Sequence, residues 1–236
     1  MQNALIRTRA LLGDEGMEAL RSARVAVFGI GGVGAACAEA LARSGVGTVD
    51  LIDPDTVNES NLNRQLVALT GTVGMNKARA MAERIGQFGC DTRVNVHELF
   101  FDESTLGKMD LSEYDYIADC IDTVSSKMLI ICEGERLHVP VISALGTGNK
   151  LHPEMLKLSD IHRTNVCPLA RVIRRLCRER GIKHLNVVYS EEEAPHLSLG
   201  EENGRHPPAS AAFVPNAAGM IMAGKIVRDL TGREPI

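Results

Sequence analysis

The run Arg24-Val-Ala-Val-Phe-Gly29, continued by Ile30-Gly31-Gly32-Val33-Gly34, limits what this chain can fold into more than any other segment of it. A short apolar run in which polar residues do not alternate reads as a strand buried on both faces, the pattern of a parallel sheet. It stops at glycine, and Val33, Cys37, Ala40 and Leu41 then recur at helical spacing. Strand, glycine turn and helix in that order open a β-α-β unit, and Thr48-Val-Asp-Leu-Ile-Asp53 supplies its second strand. Gly29, Gly31 and Gly34, with Gly32 between them, let backbone approach a phosphate at a helix N-terminus. Asp53 lies 19 residues past Gly34, at the end of the second strand, where a carboxylate can accept both hydroxyls of a ribose.

The same alternation runs on. The periodicity predicts a helix over 77–88, a strand over 93–97, a buried strand over 114–121, a helix over 124–137 and a strand over 139–143. Helices alternating with buried strands give an α/β class, a doubly wound, Rossmann-like, mainly parallel sheet. After Gly146 the rhythm changes. Residues 150–158 and 185–190 read as antiparallel C-terminal strands, 191–209 as a mobile, acidic, Pro- and Gly-rich excursion, and 211–230 as a buried final helix. Residues 3–22 read as amphipathic helix broken at Gly13. At 236 residues the expectation is a single domain over 1–236. Within it, 1–22 is an N-terminal helical arm, 23–150 the nucleotide-binding core and 151–236 the extension with its loop and last helix.

With no Trp and 3% aromatic residues, the core has to be aliphatic. A net charge of −4 gives no global attraction for nucleic acid, so any such contact must be local. Six cysteines include no Cys-x-x-Cys pair, which argues against a four-thiolate zinc site and for reduced, packed thiols. No apolar signal core opens the chain and no stretch of bilayer-spanning length lacks charges, so a cytoplasmic protein without membrane contact is expected.

The glycines and Asp53 alone would suit a dinucleotide. The residues that follow do more: Asp55, then Asn61-Leu-Asn63-Arg64-Gln65, then Lys77, then Asp119-Cys-Ile-Asp122. Two fixed cations and several amides just past the ribose acid are what ATP requires when charge develops on its phosphates. An NAD-binding redox or sensor protein would leave Arg64, Lys77 and Asp122 idle. Asp122 closes a strand at the edge where ligands bind in open parallel sheets, and one carboxylate beside a polyphosphate suits Mg2+. Asp119 is assigned to support it.

This ordered set resembles the ubiquitin-activating-enzyme, or ThiF-type adenylyltransferase, superfamily over about residues 7–150. The resemblance implies that Asp53 holds ribose, that Asn61, Arg64 and Lys77 bind phosphates, and that Asp122 carries magnesium. It further implies a homodimer in which Arg9, in Arg7-Thr-Arg9, reaches the partner's ATP. Arg9, Arg64, Lys77 and Asp122 thus form the expected catalytic set. The sulfur-carrier branch usually has paired Cys-x-x-Cys ligands, absent here. Ser143-Ala-Leu-Gly-Thr-Gly-Asn-Lys150, Cys167-Pro-Leu-Ala-Arg171 and Ala212-Phe-Val-Pro215 are instead similar to the tRNA threonylcarbamoyladenosine dehydratase branch. That branch uses ATP to activate a carboxylate on tRNA, which then cyclises with loss of water. The alternative is adenylation of the terminal glycine of a ubiquitin-like sulfur carrier, with sulfur-transfer partner proteins. Cyclisation needs no thioester carrier, so Cys167 stays outside the expected catalytic set.

One feature of the residues themselves agrees with an RNA substrate. Arg171, Arg174, Arg175 and Arg178 fall at i, i+3, i+4 and i+7, a guanidinium stripe along one helix face with Glu179 as its only nearby acid.

Overall fold

The protein is described here by a computed structural model covering residues 4–88, 91–193 and 208–233. The elements run α1 (Ile6–Ser22), β1 (Arg24–Phe28), α2 (Gly32–Ser44), β2 (Thr48–Ile52), α3 (Lys77–Gly86), β3 (Arg93–His97), β4 (Tyr116–Asp119) and α4 (Val124–Leu137). Then follow β5 (Val141–Ala144), β6 (Leu156–Asp160), α5 (Pro168–Glu179), β7 (Asn186–Ser190) and α6 (Phe213–Thr231). The expected excursion over 191–209 lies mostly outside the described residues.

One seven-stranded sheet has the order β3-β2-β1-β4-β5-β7-β6. The chain winds outward from β1 in both directions, so the sheet reverses between β1 and β4, and a crevice opens there at the strands' C-terminal ends. The pairing β1–β4 sets Phe28 opposite Asp119, and β4–β5 sets Asp119 opposite Ser143. Three strand ends therefore meet at one level.

Side chains alternate between two cores, as a period of two requires. Val25 and Val27 face one cluster with Leu41 of α2, Met81 of α3 and Met222 of α6. Ala26 and Phe28 face the other, with Ile130 of α4 and Ile173 of α5. Asp50, in the middle of β2, is fully buried and accepts from Arg24, Asn95, His97 Nε2 (2.8 Å) and Tyr114 Oη (3.2 Å). Burial pushes its pKa up, but these donors and the Arg24 charge outweigh that and hold it well below the carboxylate range.

The expected antiparallel C-terminal strands are β6 and β7, which pair with each other, while β7 also runs parallel to β5. One boundary needs correction: residues 150–155 are not strand. β6 ends and β7 begins at the same edge of the sheet, Asp160 opposite Asn186, and the connection through α5 returns the chain there. A strand's direction is set by the path of its connection, which its own residues do not encode. The break at Gly13 is real: its φ of 73° kinks α1 into two helical pieces.

Candidate nucleotide site

The glycine turn is built for close approach. Gly29 has φ 83°, the left-handed region that favours glycine. A Cβ on Gly34 would stand 1.8 Å from the Gly29 carbonyl oxygen, so α2 can start this close to β1 only with glycine there. The N-cap of α2 is Gly31, which has no side chain to satisfy the first amides, and Thr123 at the N-cap of α4 makes no side-chain bond either. By contrast Asn76 caps α3 by accepting from Arg79 N–H, and Cys167 Sγ caps α5. The two helices that open beside the reversal point thus present free N–H groups, the arrangement that attracts an anion.

Asp53 is buried at 4% exposure, with Oδ2 accepting from Ile30 N–H (2.6 Å) and Oδ1 from Asp55 N–H (2.8 Å). Its carboxylate is thereby fixed against the glycine turn, and each oxygen keeps a further lone pair for a hydroxyl. Burial pushes its pKa up, and the nearby Lys77 charge opposes that. Lys77 opens α3, is itself buried, and pairs with the exposed Asp55 at 2.9 Å. Asn76, which the sequence reading passed over, ties this corner together by donating to the carbonyls of Asp53 (3.0 Å) and Asp55 (3.2 Å). Its only local sign is an asparagine just before a helix.

The loop between carries the amides. Asn61 is buried and accepts from Asn58 N–H, so its oxygen shapes the loop. Asn63 donates to Ser210 O at 2.8 Å and accepts from Arg64, whose guanidinium also donates to Ser60 O. Asn216, from the first turns of α6, donates to Arg64 O at 3.1 Å while its own buried amide oxygen has no partner among the described residues. The same holds for Gln65 Oε1, and Gln65 Nε2 lies over Gly31. Buried polar atoms are nearly always satisfied, so two orphans beside the glycine turn mark a place for a polar ligand. Asn216 could not be found in the sequence, because it lies 152 positions from Arg64.

At the other side of the crevice Asp119 and Asp122 separate into two roles. Asp119 is fully buried, accepts from Ile121 N–H and Ser143 Oγ, and forms an ion pair with Lys127 at 2.7 Å. Asp122 is exposed and has no hydrogen bond or ion pair among the described residues. Those residues contain no cluster of three or more His, Cys, Asp or Glu able to cage a metal. One free carboxylate beside a phosphate site fits a magnesium ion that arrives with its nucleotide, since Mg2+ takes one or two carboxylates plus phosphates and water.

Arg9 does not share this site within one chain. Leu5 packs against Gly45 at the far end of α2, and Leu12 O accepts from Arg233 beyond the far end of α6. The glycine turn sits at the near ends of both helices, where Pro215 meets Gly32. Arg9, between Leu5 and Leu12, is therefore about 18 Å or more along α2 from its own glycine turn. It is exposed and pairs loosely with Asp14 at 3.6 Å.

The arginine stripe is only partly free. Arg171 and Arg178 are exposed with no partner among the described residues, and Arg175 pairs with Glu179 at 3.1 Å. Arg174 is half-buried and donates to the carbonyl and hydroxyl of Thr164. Among the described residues the thiols of Cys37, Cys167 and Cys177 are buried, and burial pushes Cys37 up to about 12.

A Rossmann-like sheet whose reversal point carries a phosphate-ready glycine turn, a buried lysine and a free carboxylate defines a nucleotide-using α/β protein. The chain belongs to the ThiF family, whose model matches residues 4–236. Within that family it is similar to the tRNA threonylcarbamoyladenosine dehydratase of Bacillus subtilis (strain 168), at 38% identity over 98% of this chain and 95% of that one. Among solved structures, the E. coli tRNA N6-threonylcarbamoyladenosine dehydratase in complex with AMP superposes with a TM-score of 0.86 at 31% identity, covering 96% of this chain and 93% of that one. The same E. coli protein in complex with ATP gives 0.87 at 31% identity, with the same coverage. Among the described residues no helix is long and apolar enough to cross a membrane.

Proposed function

We propose that this chain is an ATP-dependent tRNA threonylcarbamoyladenosine dehydratase acting in the cytoplasm. The observation that carries this reading is the joint one: near full-length similarity to dehydratases, with a strand-edge site that has the groups for adenylation. Asp53 accepts the ribose hydroxyls, and the free amides of α2 face the phosphates. The substrate carboxylate attacks the α-phosphorus in line, an acyl-adenylate forms and pyrophosphate leaves. Arg64 and Lys77 neutralise the charge that builds on the transferred and leaving phosphates. Asp122 would hold Mg2+, which supplies further neutralisation of that charge. A group within the same threonylcarbamoyl side chain then attacks the activated carbonyl, closing a ring and releasing AMP. Ring closure depends on holding two groups of one side chain together, for which no protein nucleophile is needed.

Arg9 acts in this scheme on the ATP of a second copy of the chain, since within one subunit it lies far along α2 from its own glycine turn. The tRNA backbone lies along α5 at Arg171, Arg175 and Arg178. The test is mass spectrometry of nucleosides from tRNA incubated with the enzyme, ATP and Mg2+. A product lighter by one water, formed together with AMP, is the expected result. AMP made only when a ubiquitin-like carrier protein is supplied would replace this reading with sulfur-carrier adenylation.

A further inference from the structure

Lys127 has no part in the scheme above, yet it is a fully buried ammonium on α4. A charge is kept out of water only where strong partners compensate its lost hydration. Here they are Asp119 Oδ2 at 2.7 Å and the Ala144 carbonyl at 3.1 Å. Asp119 Oδ2 also accepts from Ser143 Oγ at 2.7 Å, and Asp119 and Ser143 are register partners across β4 and β5. The ion pair therefore joins the ends of two strands to the first turn of a helix.

The segment closed by this pair is the one that carries Asp122. Asp119 stands three residues before it and Lys127 five residues after it. Asp119 Oδ1 accepts from Ile121 N–H at 3.2 Å, on one side of Asp122. On the other side Lys127 lies in the first turn of α4, whose main-chain bond to Thr123 O at 3.0 Å belongs to the helix rather than to the lysine side chain. The buried pair thus fixes Asp119, and through it the backbone just before Asp122, while the Asp122 side chain has no hydrogen bond or ion pair among the described residues.

We propose that Lys127 is a positioning residue for the metal–phosphate end of the site: paired with Asp119, it sets the direction in which Asp122 presents its carboxylate. At 0% exposure Lys127 offers no surface to a ligand, so its effect would pass through Asp119. This rests on the reading of Asp122 as the magnesium anchor. The effect is confined to one side of the crevice, because Asp53, Asn76 and Lys77 are held by a separate set of hydrogen bonds around β2 and α3.

The experiment measures binding rather than turnover. Mn2+ affinity is followed by electron paramagnetic resonance with a non-hydrolysable ATP analogue present, and affinity for the analogue is measured separately without metal. The proteins are the full-length wild type, Lys127→Met, Lys127→Arg, Ser143→Ala and Asp122→Ala. Lys127→Met should weaken Mn2+ binding roughly 10–100-fold, as loss of an outer support of a metal ligand does. Metal-free analogue binding should stay at the wild-type level, and Lys127→Arg should restore part of the metal affinity. Equal losses with and without metal would mean that Lys127 is only structural, and would overturn the proposal. So would unchanged Mn2+ affinity in Lys127→Met while Asp122→Ala is impaired. An unimpaired Asp122→Ala would instead remove the magnesium assignment of Asp122, and the positioning role with it. If Lys127→Met does not fold, Ser143→Ala decides: a metal-specific loss in the same direction supports the proposal, and none overturns it.

Discussion

The loop after β2 and the turn after β4 each carry a lysine–aspartate pair, at 2.9 Å and 2.7 Å. In the first, Lys77 is 10% exposed and Asp55 65% exposed; in the second, Lys127 and Asp119 are both at 0%. An ion pair with one partner in water contributes about 0–1 kcal/mol. Lys77 can therefore leave Asp55 for a phosphate at little cost, which is what a binding cation requires. Lys127 has no such freedom, because leaving Asp119 would strand a charge in the core. The same pair of groups at similar distance is thus free to exchange in one region and locked in the other, and burial makes the difference.

The largest effect expected is on stability at the buried pair. Lys127→Met should cost about 3–5 kcal/mol, the usual result of removing one partner of a buried pair, read from urea unfolding midpoints. A loss as small as that of an exposed pair would break the comparison. Lys77→Met should do the reverse. Its unfolding midpoint should barely move, while single-turnover AMP formation falls on the order of 100–1,000-fold, as when a preorganised group facing developing charge is removed.

A second buried carboxylate extends the contrast to the middle of the sheet. Asp50 has a folded pKa well below its unfolded value, because donors from Arg24, His97 and Asn95 outweigh its burial. A depressed carboxyl pKa contributes stability that is present above the unfolded value and is lost as pH falls below it. Wild-type unfolding free energy should therefore decline from about pH 4 downward, and Asp50→Asn should remove part of that decline. At neutral pH Asp50→Asn should cost about 1–3 kcal/mol, since the Arg24 guanidinium loses its charged acceptor.

The smallest effect on the fold is expected at the arginine helix. Arg171→Ala with Arg178→Ala removes two exposed charges and should change unfolding by less than about 0.5 kcal/mol. If tRNA lies there, the slope of log affinity against log salt should fall by about two. An unchanged slope would take α5 out of the RNA surface. Arg174 is the wrong residue for this test, because its guanidinium already holds Thr164.

The four inner strands, the helices between them, the glycine turn and the break at Gly13 were legible from the order of residues. These are local matters: a period of two or 3.6 and a glycine where no Cβ fits act over a few positions. Asp53 and Asp122 stood out as carboxylates placed where apolar strands end, and Arg64 and Lys77 as cations in the loop and helix that follow. The different work of Asp119 and Asp122 was legible only in outline, because the supporting role needed Lys127 and Ser143 as named partners.

What the amino-acid order determined by itself was therefore the inner elements and the chemical kinds of group at the crevice. The folded chain alone decided that β7 runs parallel to β5, that Asn216 meets Arg64, that Arg174 turns inward, and that Arg9 lies a helix length from its own glycine turn. Each of these depends on which distant segment comes to lie alongside, and burial and partnership are properties of that neighbourhood. A lysine has the same side chain on α3 and on α4; only the packing around it leaves one with a partner in water and encloses the other in the core.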